Sequence, residues 1–224
     1  MKLKICGMKH NIAEVAQLQP DYLGIIFYEK SPRFYGKING LDKEMAALPP
    51  SIKKVGVFVN ASAEAILENV KKFNLDVVQL HGTESSDFIK NLNEKCQVER
   101  IRSPIEISRA EPVEVWKVFS IKDAFDFSTL DEYEPHVDKF LFDTKGKEKG
   151  GNGYTFDWSV LRDYTSHKPF ILSGGIGIDE IEKIKDMQKT GLPLYAIDVN
   201  SKFEIEPGLK NVGLLKEFKK GMSF

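Results

Sequence analysis

The stretch ILSGGIG, residues 171–177, decides the fold because it joins an apolar run to a pair of glycines. The run is typical of the end of a buried strand. Gly174 and Gly175 then form a turn in which no Cβ keeps backbone N–H groups away from a ligand. The isoleucine spacing over residues 178–184 predicts a following helix, so the glycines precede its N-terminus. This order fits a phosphate site and, equally, a tightly packed turn.

The stretch LYAIDVNS, residues 194–201, repeats the pattern one element later, as an apolar strand that ends in small polar residues. Two such strand ends in succession are typical of the phosphate site in barrels of eight β/α units. The repetition favours the phosphate interpretation of the glycine turn.

Eight short apolar runs recur along the chain, nearly continuous in apolar character, as strands covered on both faces should be. They lie at residues 2–6, 22–27, 54–59, 76–80, 115–120, 138–143, 169–173 and 194–198. The intervals are long enough for the crossover helices that parallel neighbours require. We therefore predict an α/β fold, a single TIM barrel of eight parallel strands, with residues 1–224 as one domain. An open doubly wound sheet is the alternative, because sequence alone does not show closure.

Helical patterns occupy several of these intervals. One follows Ser62 and another follows Thr83, both of which are suitable N-cap residues. A last helix has apolar residues on one face over residues 212–218.

One interval is irregular. Leu80 and Ser120 lie 40 positions apart, and the chain between them contains one helix and then a proline-interrupted insertion near residues 94–113. We expect the insertion to precede the fifth strand, as a short strand or hairpin of its own. The alternative takes residues 98–101 as the fifth strand.

Composition limits the classes of function. The chain has 224 residues, of which 42% are hydrophobic and 29% charged, and its formal net charge is −1. These values predict a globular protein with no overall attraction to nucleic acid or to an anionic membrane. With only two cysteines and no apolar leader, a reducing cytoplasmic location is expected. A monomer is also expected, because no element has an unusually apolar outer face.

Three residues at predicted strand ends, or in the loop just beyond one, have reactive or charged side chains, and catalytic groups of such barrels lie at these ends. Cys6 ends the first strand, and Gly7 after it is expected to open space beside the sulfur; the alternative is a small buried residue. Asp143 ends the sixth strand and can act as a general acid or simply cap the turn. Arg33 can bind a carboxylate with two hydrogen bonds or form a surface salt bridge.

Other candidates are weaker. His81, in QLHG, is a possible site residue but also a common polar strand end. The glycine- and lysine-rich loop at residues 144–153 is either a lid or a solvated connection. No His, Cys, Asp or Glu cluster has metal-ligand spacing, so no metal is predicted, and no Walker or GxGxxG motif occurs.

Taken together and in order, several segments resemble one known family, phosphoribosylanthranilate isomerase. The segments are KICGM, GIIFYEKSPRF, VGVFVN, VVQLHG, FLFDTKGKEKGGNGYTFDW, ILSGGI and DVNSKFEIEPGLKN. The resemblance covers residues 4–211 and implies a barrel enzyme of tryptophan biosynthesis that needs no cofactor. Such enzymes convert N-(5-phosphoribosyl)anthranilate to 1-(2-carboxyphenylamino)-1-deoxyribulose 5-phosphate, a small phosphosugar, by an Amadori rearrangement.

The resemblance also implies roles for particular residues. Cys6 would be the general base, Asp143 the general acid, and Arg33 the partner of the anthranilate carboxylate. The remaining site residues would bind the substrate, with His81 and Asp198 near the sugar and Gly174, Gly175, Asn200 and Ser201 at the phosphate.

Two features depart from the family pattern. Lys202 and Phe203 stand where many members have Gly-Val, and they are expected either to crowd the phosphate turn or to add a charge beside it. The insertion near residues 94–113 is the second departure. Other phosphosugar barrels, such as indoleglycerol-phosphate synthase or ribulose-phosphate epimerase, are alternatives, as is a catalytically silent barrel that only binds a phosphorylated ligand.

Overall fold

Eight parallel strands form a closed barrel in the computed structural model, which describes residues 1–36, 40–102, 112–144 and 155–223. Neighbours pair in sequence order, and β1 pairs with β8 to close the ring. The strands are β1 Lys2–Ile5, β2 Tyr22–Ile26, β3 Lys53–Phe58, β4 Val77–Leu80, β5 Glu114–Ile121, β6 Lys139–Thr144, β7 Phe170–Leu172 and β8 Leu194–Val199. All eight predicted strands are confirmed, and the open sheet is excluded by the β1–β8 pairing.

Six α-helices lie among the described residues, outside the barrel or at its ends. They are α1 Ile12–Ala16, α2 Leu41–Ala46, α3 Ala63–Phe73, α4 Ser86–Arg102, α5 Ile181–Gln188 and α6 Val212–Met222. A two-stranded hairpin, β9 Glu204–Glu206 and β10 Leu209–Lys210, follows β8. Within the described residues between β5 and β7, the expected crossover helices are replaced by 3₁₀ turns at Phe127–Leu130, Glu134–His136 and Trp158–Asp163.

The start of each predicted helix depends on which side chain caps it. Ser62 caps α3 as predicted, because its Oγ accepts the N–H of Ala65 at 3.2 Å. The helix predicted after Thr83 is confirmed as α4, but it begins only at Ser86, and the Phe88 N–H in its first turn donates to the Ser85 hydroxyl oxygen at 3.2 Å. The Thr83 N–H and hydroxyl both donate to the side-chain oxygen of Asn60, at 2.7 and 3.2 Å, which removes Thr83 from the helix.

The irregular interval is more helical than expected. Helix α4 continues through Arg102, so the alternative that placed the fifth strand at residues 98–101 is wrong, and β5 begins at Glu114. Residues 96–102 are rich in long polar side chains, which have good helix propensity. The expected strand or hairpin is therefore wrong for residues 94–102, and the part of the insertion at 103–111 lies outside the described residues. The 145–153 part of the predicted lid loop lies outside them as well.

Strand side chains alternate between two apolar layers. Those that point into the barrel form one cluster: Tyr22, Val55, Val77, Trp116, Val118, Leu141, Ile171 and Ala196. Those that point outward pack under the helices, for example against Ile66, Ile184 and Phe218. The interior cluster fills the barrel below the C-terminal strand ends, which leaves those ends to form the floor of a cavity.

Across the described segments, we find no helix that combines the length and the apolar character needed to cross a membrane.

Candidate active site

A cavity opens at the C-terminal ends of the strands, as expected for this kind of barrel. Its lining includes all nine residues that the sequence predicts for the site: Cys6, Arg33, His81, Asp143, Gly174, Gly175, Asp198, Asn200 and Ser201. These residues come from the ends of six strands, β1, β2, β4, β6, β7 and β8, and the loops that follow. The structure therefore brings the predicted residues to one place, and the cavity adds Gln79, Ser173 and Tyr28, which were not assigned to the site.

Cys6 is buried, with 5% of its surface exposed, but its side chain faces the cavity. The space beside the sulfur comes from Gly24 on β2, where an added Cβ would lie 2.8 Å from Sγ. The expectation that Gly7 provides this space is wrong. Gly7 has a φ of +73°, and an added Cβ there would meet the side chains of Asn200 and Arg33 at 2.6 and 2.7 Å. Burial raises the pKa of the Cys6 thiol, and the nearby Lys4 ammonium opposes that rise.

Lys4 forms a buried ion pair with Asp198. The distance from Nζ to Oδ1 is 2.8 Å, and Lys4 is fully buried. The second carboxylate oxygen of Asp198 accepts a hydrogen bond from the Ser173 hydroxyl at 3.1 Å. Burial disfavours the Lys4 ammonium, but Asp198 and Cys6 together more than compensate and raise the pKa of Lys4. Sequence reasoning missed Lys4, although a lysine within a buried strand, two residues before a candidate catalytic thiol, was a visible signal.

Asp143 is held by contacts on both of its oxygens. Oδ1 accepts the backbone N–H of Thr144 at 2.9 Å, as the turn-cap alternative expected. Oδ2 lies 3.3 Å from Nε2 of His81, whose side chain also lines the cavity. Gly174 must lack a side chain here, because an added Cβ would lie 2.6 Å from Oδ1 and 2.4 Å from the Thr144 nitrogen. The carboxylate is thus oriented by its neighbours.

The position of His81 depends on a buried carboxylate that was not predicted. Glu84 accepts the N–H groups of Asn60 and Gly82 at 2.8 and 2.9 Å, and it is ion-paired with Lys117 at 3.0 Å. Lys117 also donates to the Gly82 carbonyl at 2.9 Å. Burial opposes ionisation of Glu84, but Lys117 and the backbone N–H groups outweigh it and keep its pKa low. This cluster fixes the turn that carries His81.

Arg33 lines the cavity and binds Glu204 with two hydrogen-bonding groups. Nε lies 2.9 Å from Oε1, and Nη2 lies 2.6 Å from Oε2. Both side chains are largely buried. The pair is therefore not the exposed surface salt bridge that was the alternative for Arg33. Lys210, fully buried, donates to the same carboxylate at 2.8 Å and to the Asn200 side chain at 2.7 Å. The hydrogen bonds to Glu204 come from Nε and Nη2 of Arg33. The guanidinium has five N–H donors, so the donors on Nη1 are not used by Glu204.

The candidate phosphate turn combines positive φ angles with free backbone donors. Gly174 and Gly175 have φ values of +88° and +67°, a region that favours glycine. Within the described residues, the N–H groups of Gly175, Ile176 and Ser201 have no hydrogen-bond acceptor. The element after the turn begins as a 3₁₀ turn, Ile178–Glu180, and continues as α5. Converging N–H groups of this kind attract anions.

Lys202 and Phe203, which depart from the family pattern, do not narrow the phosphate turn. Phe203 is 1% exposed and packs edge-on against Phe218 of α6, with ring centroids 5.1 Å apart, so the expected crowding by this residue is wrong. Lys202 is exposed, and its stem lies beside Gly177. Neither side chain lines the cavity.

Gln79 faces the cavity from β4, and its side-chain oxygen accepts no hydrogen bond from the described part of the chain. The residue is 2% exposed, and its Oε1 has no hydrogen-bond partner among the described residues. A buried polar atom left unpaired in this way is costly and uncommon. The described residues contain no group of three His, Cys, Asp or Glu side chains suited to hold a metal ion.

A family model described as N-(5′-phosphoribosyl)anthranilate (PRA) isomerase matches residues 3–111 and 103–220. The chain belongs to the N-(5′-phosphoribosyl)anthranilate isomerase family. The N-(5′-phosphoribosyl)anthranilate isomerase of Parabacteroides distasonis is 42% identical over 97% of this chain and 91% of its own length.

Solved structures of the isomerase family agree in fold. The phosphoribosyl anthranilate isomerase of Thermotoga maritima superposes with a TM-score of 0.79 at 29% identity, covering 100% of this chain and 98% of its own. Another isomerase structure, with a TM-score of 0.75 and 26% identity over the same shares, is a complex with reduced 1-(o-carboxyphenylamino)-1-deoxyribulose 5-phosphate. The predicted family and barrel are confirmed.

Proposed function

We propose that this chain isomerises N-(5′-phosphoribosyl)anthranilate to 1-(2-carboxyphenylamino)-1-deoxyribulose 5-phosphate, with Asp143 as general acid and Cys6 as general base. The observation that carries the proposal is that a carboxyl group on β6 and a thiol directly after β1 line one cavity, beside a turn whose N–H groups have no acceptor among the described residues. Strands β7 and β8 separate the two groups. A substrate sugar can therefore lie between them.

Two proton transfers, by Asp143 and Cys6, are followed by a tautomerisation in which the C2 hydroxyl loses a proton and C1 gains one. Asp143 donates a proton to the ribose ring oxygen, the bond from that oxygen to C1 breaks, and the anthranilate nitrogen forms a C=N bond with C1. The resulting cation makes the C2 proton acidic, and the Cys6 thiolate removes it to give an enolamine. Tautomerisation of the enolamine gives the ketone. Atoms and electrons balance, because the product is an isomer of the substrate.

Binding of the two negatively charged ends of the substrate orients it for these steps. We assign the phosphate to the N–H groups after β7 and β8, at Gly174, Gly175, Asn200 and Ser201. We assign the anthranilate carboxylate to the donors of Arg33 that Glu204 does not use. A reduced form of the same product occupies the related isomerase structure described above, and it has both groups.

Three further residues contact the sugar and linking nitrogen in this proposal. His81 and Asp198 lie beside the acid and the base, respectively, and orient the hydroxyl groups. The unpaired Oε1 of Gln79 accepts a hydrogen bond from the substrate, which would satisfy it on binding.

We also propose a cytoplasmic monomer. Among the described residues, the large apolar side chains that are exposed are Met1 and Ile205, too few for the apolar core of a stable interface. Sedimentation at micromolar concentration tests the monomer, and a dimer mass would contradict it.

The experiment that tests the function follows the fluorescence decay of phosphoribosylanthranilate, generated in situ, with purified protein. Wild type should remove the signal rapidly, whereas Cys6→Ala and Asp143→Asn should each lower kcat by orders of magnitude while still binding a reduced product analogue. Absence of decay with wild type would favour a silent binding barrel. Near-normal turnover in either variant would contradict that residue's role.

A further inference from the structure

A buried lysine lies beside the thiol that acts as the base. The Cys6 N–H continues the β1 ladder by donating to the Val199 carbonyl at 2.9 Å, so Lys4 and Cys6 lie on the same face of one strand. Both side chains point into the barrel, and Lys4 has no exposed surface. An ammonium group without water is expensive unless other charges compensate it.

Asp198 supplies part of that compensation. Its carboxylate lies 2.8 Å from the Lys4 ammonium and is held by the Ser173 hydroxyl on its other oxygen. A buried ion pair of this kind adds little stability compared with apolar side chains of the same volume. Stability alone therefore does not explain a lysine at this position, directly below the cavity floor.

We propose that Lys4 is a positioning residue that stabilises the thiolate of Cys6, while Asp198 and Ser173 fix the place of its ammonium group. This inference rests on the proposed role of Cys6 as base. Loss of the Lys4 cation would leave more of the thiol protonated near neutral pH, and removal of the C2 proton would slow.

Other charged groups also face Cys6. Asp198 on β8 disfavours the thiolate, and Lys210 on β10 favours it. Lys210 is bonded to Glu204 and Asn200, and its effect on the pKa of Cys6 is smaller than that of Lys4. Arg33, His81 and Asp143 line the same cavity. Burial raises the pKa of Cys6, and among these groups Lys4 lowers it the most.

The test measures the thiol directly, without turnover. In a Cys96→Ser background, which leaves one thiol, the rate of Cys6 alkylation by iodoacetamide is followed against pH to obtain the thiol pKa. The variant is Lys4→Met. Lys2→Met is the matched control, because Lys2 lies on the same strand and is ion-paired with Asp21 at 2.7 Å, but its side chain is half exposed.

Lys4→Met should raise the thiol pKa by about one unit or more, the usual effect of removing a close opposite charge. Lys2→Met should leave it unchanged. Since Lys4→Met leaves Asp198 buried without its cation, the double variant Lys4→Met/Asp198→Asn is compared with Asp198→Asn alone. The double variant should again have the higher thiol pKa. Equal values in both comparisons would overturn the inference.

The pH dependence of kcat/KM separates this inference from the proposed function. If Cys6 is the base, the rising limb of the profile should move upward with the thiol pKa in Lys4→Met. If the thiol pKa rises but the limb does not move, the stabilisation of the thiolate by Lys4 stands and the assignment of Cys6 as base fails.

Discussion

Arg33 and Glu204 form a two-point ion pair at the edge of the cavity, with Nε–Oε1 and Nη2–Oε2 distances of 2.9 and 2.6 Å. The pair joins the loop after β2 to the hairpin after β8. Lys210 extends it to Asn200, so the proposed carboxylate and phosphate contacts share one buried network. The guanidinium is oriented before any substrate arrives, which lowers the entropic cost of binding.

Glu204→Gln should therefore weaken substrate binding more than it slows the chemical step. The variant loses the charge that orients Arg33, and we expect KM to rise about tenfold, equivalent to ~1.4 kcal/mol, with a smaller change in kcat. Glu206→Gln, on the exposed side of the same hairpin, is the control and should behave as wild type. Steady-state kinetics checks this, and a loss confined to kcat would contradict a role in binding.

Gln79→Met should separate binding from stability. Since Oε1 has no partner in the described structure, its removal relieves an unpaired buried acceptor, and Tm should stay the same or rise. KM should rise by about tenfold through loss of a substrate hydrogen bond. Thermal unfolding and steady-state kinetics provide the two readouts. A lower Tm with unchanged KM would mean that the amide serves the fold alone.

Gly24→Ala should impair catalysis because the new Cβ would lie 2.8 Å from the Cys6 sulfur and displace it. We expect kcat to fall at least tenfold, in line with the sensitivity of catalysis to small misplacements. Gly56→Ala is a matched strand control. There the new Cβ would press on Leu75 at 2.5 Å, outside the barrel, so Tm should fall while kcat is retained. Equal kcat values for the two variants would contradict the prediction.

Acid should destabilise the protein partly through Glu84. The folded-state pKa of this residue lies below its ordinary value of 4.5, so its ionised form contributes stability above pH 4.5. That contribution is lost as the pH falls from 4.5 through the folded-state pKa. Thermal unfolding as a function of pH should show a smaller drop below pH 4.5 for Glu84→Gln than for wild type.

The control for this prediction is Glu182→Gln, an exposed glutamate ion-paired with Lys185 at 2.8 Å. Exposed pairs contribute little, so its pH dependence should match that of wild type. If the Tm of Glu84→Gln fell with pH as steeply as that of wild type, the buried Glu84–Lys117 pair would not contribute to acid unfolding.

The local sequence predicted the elements that depend on hydrophobic pattern and on glycine. Eight continuous apolar runs indicated strands buried on both faces, and their ends placed Cys6 and Asp143 at the mouth of the barrel. The Ser62 cap was readable because its hydrogen bond spans three residues, whereas Thr83 misled because Asn60, far away in the chain, binds it. The start of a helix can be predicted from sequence when the hydrogen-bond partners of its first residues are nearby in the chain, and not when a distant side chain binds one of them.

The sequence by itself determined the barrel, the family and the residues that meet at the strand ends. The spacing of the apolar runs, the glycine turns and the order of the motifs can all be read along the chain. Only the tertiary structure decided that Gly24 makes room for the Cys6 sulfur, that Arg33 is paired with Glu204, and that Lys4 lies against Asp198. The last two pairs join residues 171 and 194 positions apart. Such contacts arise from the register and closure of the barrel, and no local pattern carries that information.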